Sequence, residues 1–268
     1  MRFKVNGVPT YASTGGRAHE PRQPWIVFIH GAGSNHLAWL LQTRSMAYDG
    51  YNVLAPDLPG HNLSGGEAIP GVAAEAEWLL AAMDAVGCEK AVLCGHSQGG
   101  LIGLEAARLA PERVQGIVFV ASAAAIPVNP SLVETAQTAE PKAFAAMTAW
   151  AHGPDAHMGD NTWPGGHHIF FNIDTMGLNR RGALASDLQS CAAYDKGLET
   201  AASLKCPTLC VFAKLDKMTP LKSGMKLAEA LPDNELLVIE DCGHTIPTER
   251  PRELTAALRR FLCERIRA

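Results

Sequence analysis

A serine stands where a strand-like apolar run passes directly into a helical pattern. The run Ala91–Cys94 leads into Gly95-His96-Ser97-Gln98-Gly99, which has the spacing G-x-S-x-G. In a tight turn from strand to helix, a serine has a strained backbone that lifts its hydroxyl clear of the sheet, and the flanking glycines let the backbones approach closely. The N-terminus of the next helix favours negative charge beside the hydroxyl. This arrangement predicts that Ser97 is a nucleophile.

A base and an acid for this serine follow later in the chain. A serine hydroxyl needs a base to remove its proton, and the base needs an acidic residue to orient it. His244 follows the predicted strand Leu236–Ile239, and Asp216 follows the predicted strand Thr208–Phe212. Both should therefore lie at the carboxyl end of a parallel sheet, in the chain order Ser, Asp, His. Asp241 is the rival acid, but its position just before the histidine is more typical of a turn or capping group.

Two backbone N–H groups are candidates for an oxyanion hole. Attack on an acyl carbon creates an oxyanion, which needs preorganised hydrogen-bond donors. We predict that one donor is the N–H of Gln98, the residue after the serine. The other should come from the loop His30–His36, where we predict the N–H of Ala32, with that of Gly33 as the alternative.

The same loop also resembles part of a dinucleotide-binding fingerprint. Gly31 and Gly33 follow a strand, and Asp57 follows the next predicted strand. A nicotinamide-dependent oxidoreductase is therefore the competing enzyme class. However, His36 occupies the third glycine position of the fingerprint, and this hypothesis leaves the serine turn and the later acid and histidine without a role. Asp57 is expected instead to form hydrogen bonds within the loop Pro56–Gly60.

Apolar runs typical of strands buried on both faces of a parallel sheet recur along the chain. They are Trp25–Ile29, Asn52–Ala55, Ala91–Cys94, Gly116–Val120, Thr208–Phe212 and Leu236–Ile239. Helical patterns lie between or after them, at Ala73–Val86, Gln98–Leu109, Leu221–Ala230 and Pro251–Ile266. A predicted hairpin, Arg2–Val5 and Val8–Ser13, opens the chain with Asn6-Gly7 as its turn. Strands alternating with helices predict an α/β fold with a mostly parallel sheet.

One long interval has no obvious buried strand. It runs from Val120 to Thr208, although a crossover connection needs only about a dozen residues. We predict an inserted, mostly helical lid over residues 123–203, so that residues 1–122 and 204–268 form the core domain. The predicted substrate pocket is lined by one aromatic residue before the lid and four residues within it: Trp39, Met147, Trp150, Trp163 and Phe170.

Composition limits the partners. The net charge of −4 favours no nucleic acid, and no run approaches the roughly eighteen apolar residues that span a membrane. The N-terminal sequence has no apolar core of a signal peptide, and the seven cysteines contain no CxxC pair, so we predict a cytoplasmic protein with reduced thiols. The lid histidines match no zinc-site spacing, and no metal or organic cofactor is predicted. These histidines are His152, His157, His167 and His168.

The motifs, taken in order, resemble the signature of the α/β-hydrolase superfamily. They are His30-Gly31-Ala32-Gly33, Asp57-Leu58-Pro59-Gly60-His61-Asn62-Leu63-Ser64, Gly95-His96-Ser97-Gln98-Gly99-Gly100, Asp216 and Gly243-His244. The resemblance covers the whole chain apart from the lid. It implies an α/β-hydrolase fold, with a mostly parallel eight-stranded sheet flanked by helices and an inserted helical lid. The family commonly has glycine where this chain has Asn62, but asparagine tolerates positive φ.

The resemblance also implies an activity. It implies a serine hydrolase with nucleophile Ser97, which acts through an acyl-enzyme. The aromatic and methionine side chains of the lid favour a small-molecule substrate, a carboxylic ester or lactone with a small to medium apolar acyl group. A carbon–carbon bond hydrolase acting on a ring-cleavage dienoate is the alternative; it would need a lid cation, for which Arg180 and Arg181 are the candidates. A perhydrolase and a ligand receptor are further alternatives. The serine argues against haloalkane dehalogenases and epoxide hydrolases, which use aspartate there.

Overall fold

Eight strands among the described residues, 1–157 and 167–266, form one sheet in this computed structural model. They are β1 (Arg2–Val5), β2 (Val8–Ser13), β3 (Trp25–Ile29), β4 (Asn52–Pro56), β5 (Ala91–His96), β6 (Val114–Val120), β7 (Thr208–Ala213) and β8 (Asn234–Ile239). Their order in the sheet is β1-β2-β4-β3-β5-β6-β7-β8. The pairs β1–β2 and β2–β4 are antiparallel, and the other neighbouring pairs are parallel. The predicted mostly parallel, eight-stranded sheet is confirmed.

Helices of the described residues lie along and above this sheet. They are α1 (Leu40–Tyr48), α2 (Val72–Ala85), α3 (Gln98–Leu109), α4 (Pro130–Thr138), α5 (Glu140–Ala151), α6 (Pro154–His157), α7 (His168–Gly177), α8 (Ala183–Ala193), α9 (Gly197–Ser203), α10 (Leu221–Ala230), α11 (Ile246–Glu249) and α12 (Pro251–Phe261). Short turns of other helical types occupy His36–Trp39, Pro111–Arg113 and Leu262–Ile266. The last of these means that the predicted final helix changes its winding after Phe261. None of the described helices has the length and apolar character needed to cross a bilayer.

The central strands are buried because helices cover both of their faces. Along β3, Val27 and Ile29 face one apolar layer, which α2, α3 and α10 complete. Ile26 and Phe28 face the other layer, which α1 and α12 complete. Successive strand residues point to opposite faces, so a strand that is apolar at every position belongs at the centre of such a sheet.

The two predicted asparagine turns adopt the left-handed backbone that their sequences require. Asn6 and Gly7 in the opening hairpin have φ values of 50° and 83°. Asn62, where the family commonly has glycine, has a φ of 38°. Asparagine reaches this region more readily than other residues with a side chain, so the turn forms without glycine.

A helical segment connects β6 to β7, and we call residues 121–207 the β6–β7 segment. Its described residues contain the helices α4 to α9 and no strand. Four of these helices build a small apolar cluster of their own, which includes Leu132, Phe144, Met176 and Leu188. Cys191 of α8 and Ala201 of α9 instead belong to the layer that α2 and α3 share with the sheet. The last two helices of the segment therefore share the apolar core of the sheet.

Candidate active site

Ser97 lies in the turn between β5 and α3 with a strained backbone. Its φ and ψ are 52° and −118°, which is unusual for a residue with a side chain and costs about 1–3 kcal/mol. Only glycine fits two residues before and two residues after Ser97. A Cβ on Gly95 would lie 2.2 Å from the carbonyl oxygen of Gly99, and a Cβ on Gly99 would lie 2.2 Å from that of Ile29. The Ser122 hydroxyl donates a hydrogen bond of 2.7 Å to the Ser97 carbonyl, which ties the turn to the end of β6.

His244 lies in the loop after β8 and pairs with Asp216 in the loop after β7. The distance from His244 Nδ1 to Asp216 Oδ2 is 2.8 Å, and both residues are buried. The ring of His96, beside the serine, donates a hydrogen bond from Nε2 to the His244 carbonyl at 2.9 Å. Burial and then the nearby charge of His244 lower the pKa of His96 to about 3, so His96 is neutral and serves to hold the His244 loop.

The Asp216 carboxylate is held by its own loop. Its Oδ1 accepts hydrogen bonds from the backbone N–H groups of Met218 and Thr219, both at 2.8 Å. Its Oδ2 accepts the Thr219 hydroxyl at 2.8 Å in addition to the His244 ring. Burial raises the pKa of Asp216, but the charge of His244 and these hydrogen bonds outweigh it and hold the pKa below its ordinary value. The carboxylate is therefore ionised at neutral pH, whereas the rival Asp241 is exposed at the surface.

Ser97 and His244 line the same cavity, which has a volume of about 240 Å³. Helices of the β6–β7 segment form much of its wall, and the predicted Met147 and Trp150 of α5 are among the lining residues. The predicted Trp163 lies outside the described residues. Sequence reasoning missed further apolar lining residues, because they follow no common period: Ile126, Val128, Leu132, Met176, Leu188 and Met218.

Two residues predicted to line the pocket do not reach it. Trp39 is fully buried beneath the loop after β3, with its ring centroid 5.0 Å from that of Phe28 in the core layer. Phe170 of α7 is 62% exposed and packs beside His167 on the outer surface. The rotation of the short helical turn and of α7 about their axes determines where these rings point, and the sequence spacing did not reveal it.

The loop after β3 passes close to the serine. A Cβ on Gly31 would lie 3.1 Å from the Ser97 Cβ, and Ala32 lines the cavity beside it. The two candidate N–H groups of this loop differ in their surroundings. The N–H of Gly33 donates to the buried carboxylate of Asp187 at 2.7 Å, so it is engaged on the side of α8. Gln98 is the first residue of α3, where backbone N–H groups have no partner within the helix.

The Asp57 carboxylate accepts hydrogen bonds from two loops, its own and the loop after β3. Its Oδ1 accepts both the backbone N–H and the ring Nδ1 of His36 at 2.8 Å, and its Oδ2 accepts the N–H of Leu63 at 3.2 Å. A ribose-binding carboxylate needs free acceptor positions at the mouth of a site, and Asp57 is fully buried. The oxidoreductase hypothesis therefore has no support here.

The histidines of the β6–β7 segment do not form a metal site in the described part of the chain. His152 is buried, and its ring Nδ1 lies 2.9 Å from the Thr148 carbonyl oxygen, which closes the end of α5. Within residues 1–157 and 167–266, no three histidine, cysteine, aspartate or glutamate side chains come together so that they could hold a metal ion.

Comparison with known proteins decides the family. The sequence profile of the alpha/beta hydrolase family matches residues 26–258, which include the serine turn, the aspartate and the histidine. The chain belongs to the α/β-hydrolase family. It is accordingly an enzyme of the hydrolase class, and the predicted family and fold class are confirmed.

Relatives of this α/β hydrolase carry several activities. It is 29% identical to the pimeloyl-[acyl-carrier protein] methyl ester esterase of Aromatoleum aromaticum, over 86% of this chain and 95% of that protein. It is 26% identical to epoxide hydrolase A of Mycobacterium tuberculosis, over 91% and 92% of the two chains. The crystal structure of the enol-lactonase from Burkholderia xenovorans superimposes with a TM-score of 0.88 at 24% identity, over 98% of this chain and 100% of that one, and shows the shared fold.

Proposed function

We propose that this α/β hydrolase is a serine hydrolase that cleaves a carboxylic ester or lactone of a small to medium apolar acyl group. The observation that carries the proposal is the convergence of three loops on one cavity. Ser97 stands there on a strained turn, and His244 faces the same space while it is bonded to the ionised Asp216. This is the arrangement that nucleophilic acyl transfer requires.

The proposed reaction has two halves. His244 Nε2 takes the proton of Ser97 Oγ as the oxygen attacks the acyl carbon. Asp216 keeps the other ring proton on Nδ1 and stabilises the imidazolium ion that forms. The C–O bond to the leaving alcohol breaks, and the alcohol takes the proton from His244. Water then attacks the acyl-enzyme in the same way, which releases the acid and restores the serine.

We assign the oxyanion hole to the backbone N–H groups of Ala32 and Gln98. Ala32 is preferred over Gly33 because the Gly33 N–H is directed to Asp187. Gln98 begins α3, so its N–H and the positive end of the helix dipole favour the negative oxygen.

The cavity supports a substrate of limited size. Its volume of about 240 Å³ and its methionine, leucine and isoleucine side chains suit an apolar acyl chain. We also propose that residues 123–203 act as a lid, because helices of that range cover the cavity above Ser97.

Carbon–carbon bond hydrolysis is the second candidate, but the cation that would bind the substrate carboxylate is not one of the two arginines named from the sequence. The guanidinium of Arg180 pairs with Glu67 at the surface, and neither Arg180 nor Arg181 is among the described lining residues. Lys217 is the only lysine, arginine, aspartate or glutamate among the described residues that line the cavity. It would hold the carboxylate of a ring-cleavage dienoate.

The test compares wild type with Ser97→Ala on p-nitrophenyl esters from acetate to decanoate. We expect turnover by the wild type, with its maximum at a short or medium chain, and a loss of roughly a millionfold in the variant. Ser131→Ala, which removes an exposed hydroxyl on α4, is the matched control and should keep the wild-type rate. Retention of more than about a tenth of the activity by Ser97→Ala would reject the nucleophile, given the size of such losses. Labelling of Ser97 by a fluorophosphonate without ester turnover would favour the dienoate reaction.

A further inference from the structure

Two side chains of the β6–β7 segment hold Gly33, the residue after the proposed oxyanion donor. Asp187 Oδ2 accepts the Gly33 N–H at 2.7 Å, and Asn179 Nδ2 donates to the Gly33 carbonyl oxygen at 2.6 Å. The peptide groups on both sides of Gly33 are therefore fixed by hydrogen bonds from outside the loop. These bonds join residues 154 and 146 positions apart in the chain.

The backbone of Gly33 is fitted to α8. Its φ is 66°, a region that favours glycine, and a Cβ at this position would lie 2.8 Å from the Leu184 Cδ1. Leu184 and Asp187 lie three residues apart on α8, so both project from the same face of the helix. The loop after β3 thus has its shape set partly by a helix of the β6–β7 segment.

Asp187 is buried against the ring of His61. The ring Nε2 of His61 lies 3.0 Å from Asp187 Oδ2, and the ring Nδ1 lies 3.0 Å from the Pro59 carbonyl oxygen. Both ring nitrogens face acceptors, which the protonated ring satisfies. Burial lowers the pKa of His61, but the charge and hydrogen bond of Asp187 raise it above its ordinary value. This contact holds the Asp187 side chain, which is only 1% exposed, in place.

The same carboxylate acts on Glu75, which contacts the side chain of the second proposed donor residue. The Gln98 side chain donates from Nε2 to Glu75 Oε1 at 2.8 Å. Burial, followed by the negative charge of Asp187, raises the pKa of Glu75 well above its ordinary value. Asp187 thus bonds directly to the loop of Ala32 and also acts on the carboxyl group that holds Gln98.

We propose that Asp187, assisted by Asn179, is a positioning residue for the oxyanion hole. The inference rests on the proposed function. With the N–H and the carbonyl of Gly33 both held, the two peptide planes that flank Gly33 are fixed. The second of these planes carries the Ser34 N–H, which donates at 3.0 Å to the Gly31 carbonyl oxygen, and that oxygen shares a peptide plane with the Ala32 N–H. On this proposal the Ala32 N–H therefore keeps one direction during the reaction. Donors that are fixed before the reaction stabilise the oxyanion without a reorganisation cost. The β6–β7 segment therefore orients a catalytic group in addition to lining the cavity.

The test measures oxyanion binding separately from folding. In an alkyl trifluoromethyl ketone, Ser97 Oγ adds to the carbonyl carbon, its proton passes to His244, and the carbonyl oxygen becomes an oxyanion. The methyl ketone of equal length occupies the cavity without this step. Removal of one oxyanion donor lowers kcat by about a hundredfold to a thousandfold in other enzymes. A donor that is only misplaced, as we expect for the Ala32 N–H in Asp187→Ala, should therefore lower kcat and trifluoromethyl ketone affinity by about tenfold to a hundredfold. KM and methyl ketone affinity should change less than about threefold, since binding without an oxyanion does not use the donor.

Ser190→Ala is the matched control. Ser190 lies on the same helix, and its hydroxyl oxygen accepts the N–H of Gly71 at 2.7 Å, so the variant also removes a partly buried hydrogen bond between α8 and the core but leaves Gly33 and its hydrogen bonds unchanged. It should retain kcat and trifluoromethyl ketone affinity even if its melting temperature falls. Asp187→Asn keeps an acceptor for the Gly33 N–H and should recover part of the loss. Asn179→Ala should show the same pattern more weakly, and it serves as the test if Asp187→Ala does not fold.

Two outcomes separate this inference from the proposed function. If Asp187→Ala and Asn179→Ala bind the trifluoromethyl ketone as Ser190→Ala does while Ser97 remains essential, the positioning role is rejected and the serine hydrolase stands. If Ser97→Ala retains ester turnover, the proposed function itself is rejected.

Discussion

The loops after β5, β7 and β8 and the helices between β6 and β7 build one cavity by different means. The loops present polar groups whose hydrogen-bond partners also belong to the core domain. The two carboxylate oxygens of Asp216, for example, accept hydrogen bonds from Met218, Thr219 and His244. The helices present apolar side chains such as Met147, which contact their neighbours without directional bonds.

This difference means that substitutions in the loops and in the helices should have different effects: the first on the reaction, the second on the choice of substrate. A hydrogen-bonded carboxylate and imidazole lose their function when an atom is misplaced or a tautomer changes. An apolar wall tolerates exchange of one hydrophobic side chain for another of similar volume, usually for less than about 1.5 kcal/mol. The β6–β7 segment departs from this rule at Gly33, where Asp187 and Asn179 make directional bonds to the core.

Among the changes that test this comparison, the largest effect is expected among the hydrogen-bonded loop residues, in Asp216→Asn. The amide would bind the wrong ring tautomer of His244, and kcat should fall about 10⁴-fold, as for the corresponding change in other Ser-His-Asp enzymes. Ester hydrolysis under saturating substrate measures it. Asp241→Asn is the control, because that carboxylate is exposed and should leave the rate unchanged. A larger loss in Asp241→Asn than in Asp216→Asn would show that the acid has been assigned to the wrong loop.

The second prediction compares how a glycine-to-alanine change affects stability in the serine turn and in a helix of the β6–β7 segment. Gly99→Ala would place a Cβ 2.2 Å from the Ile29 carbonyl oxygen in the backbone of β3, and it should lower the free energy of unfolding by about 1–3 kcal/mol or more. Gly177→Ala in α7 meets nothing within 4 Å and should leave stability unchanged or raise it by about 0.5 kcal/mol. Urea denaturation of both variants provides the comparison, and equal losses would mean that the serine turn is not sterically special.

The smallest expected effect is a change of substrate preference in the apolar wall. Met147→Trp should fill part of the cavity and shift the optimum to shorter acyl chains, with about a tenfold loss on the longest accepted ester, which corresponds to about one methylene of pocket space. Phe170→Ala is the matched control on an exposed aromatic residue, and it should leave the chain-length profile unchanged. A profile that moves with Phe170 but not with Met147 would place the acyl chain outside this cavity.

Local sequence determined the sheet and the loops at its carboxyl end. The run at 209–213 is apolar at every position and is typical of a strand with both faces covered. The turn at Ser97 is predictable because its two glycines occupy places where any Cβ would overlap with the backbone. The placement of Asp216 and His244 follows from the rule that parallel strands end on one side, and the structure brings these two residues together as predicted.

Only the tertiary structure shows which residues line the cavity and which side chains bind Gly33. Trp39 and Trp150 are both tryptophans near predicted helices, yet Trp39 lies in the core and Trp150 lines the cavity. The packing of each helical turn against its neighbours decides which of its side chains face the core. The bond between Gly33 and Asp187 joins residues 154 positions apart, and no local pattern marks either partner. Backbone sterics and apolar periodicity act between near neighbours and can be read from the sequence, whereas side-chain contacts between helix and loop depend on how the finished elements pack.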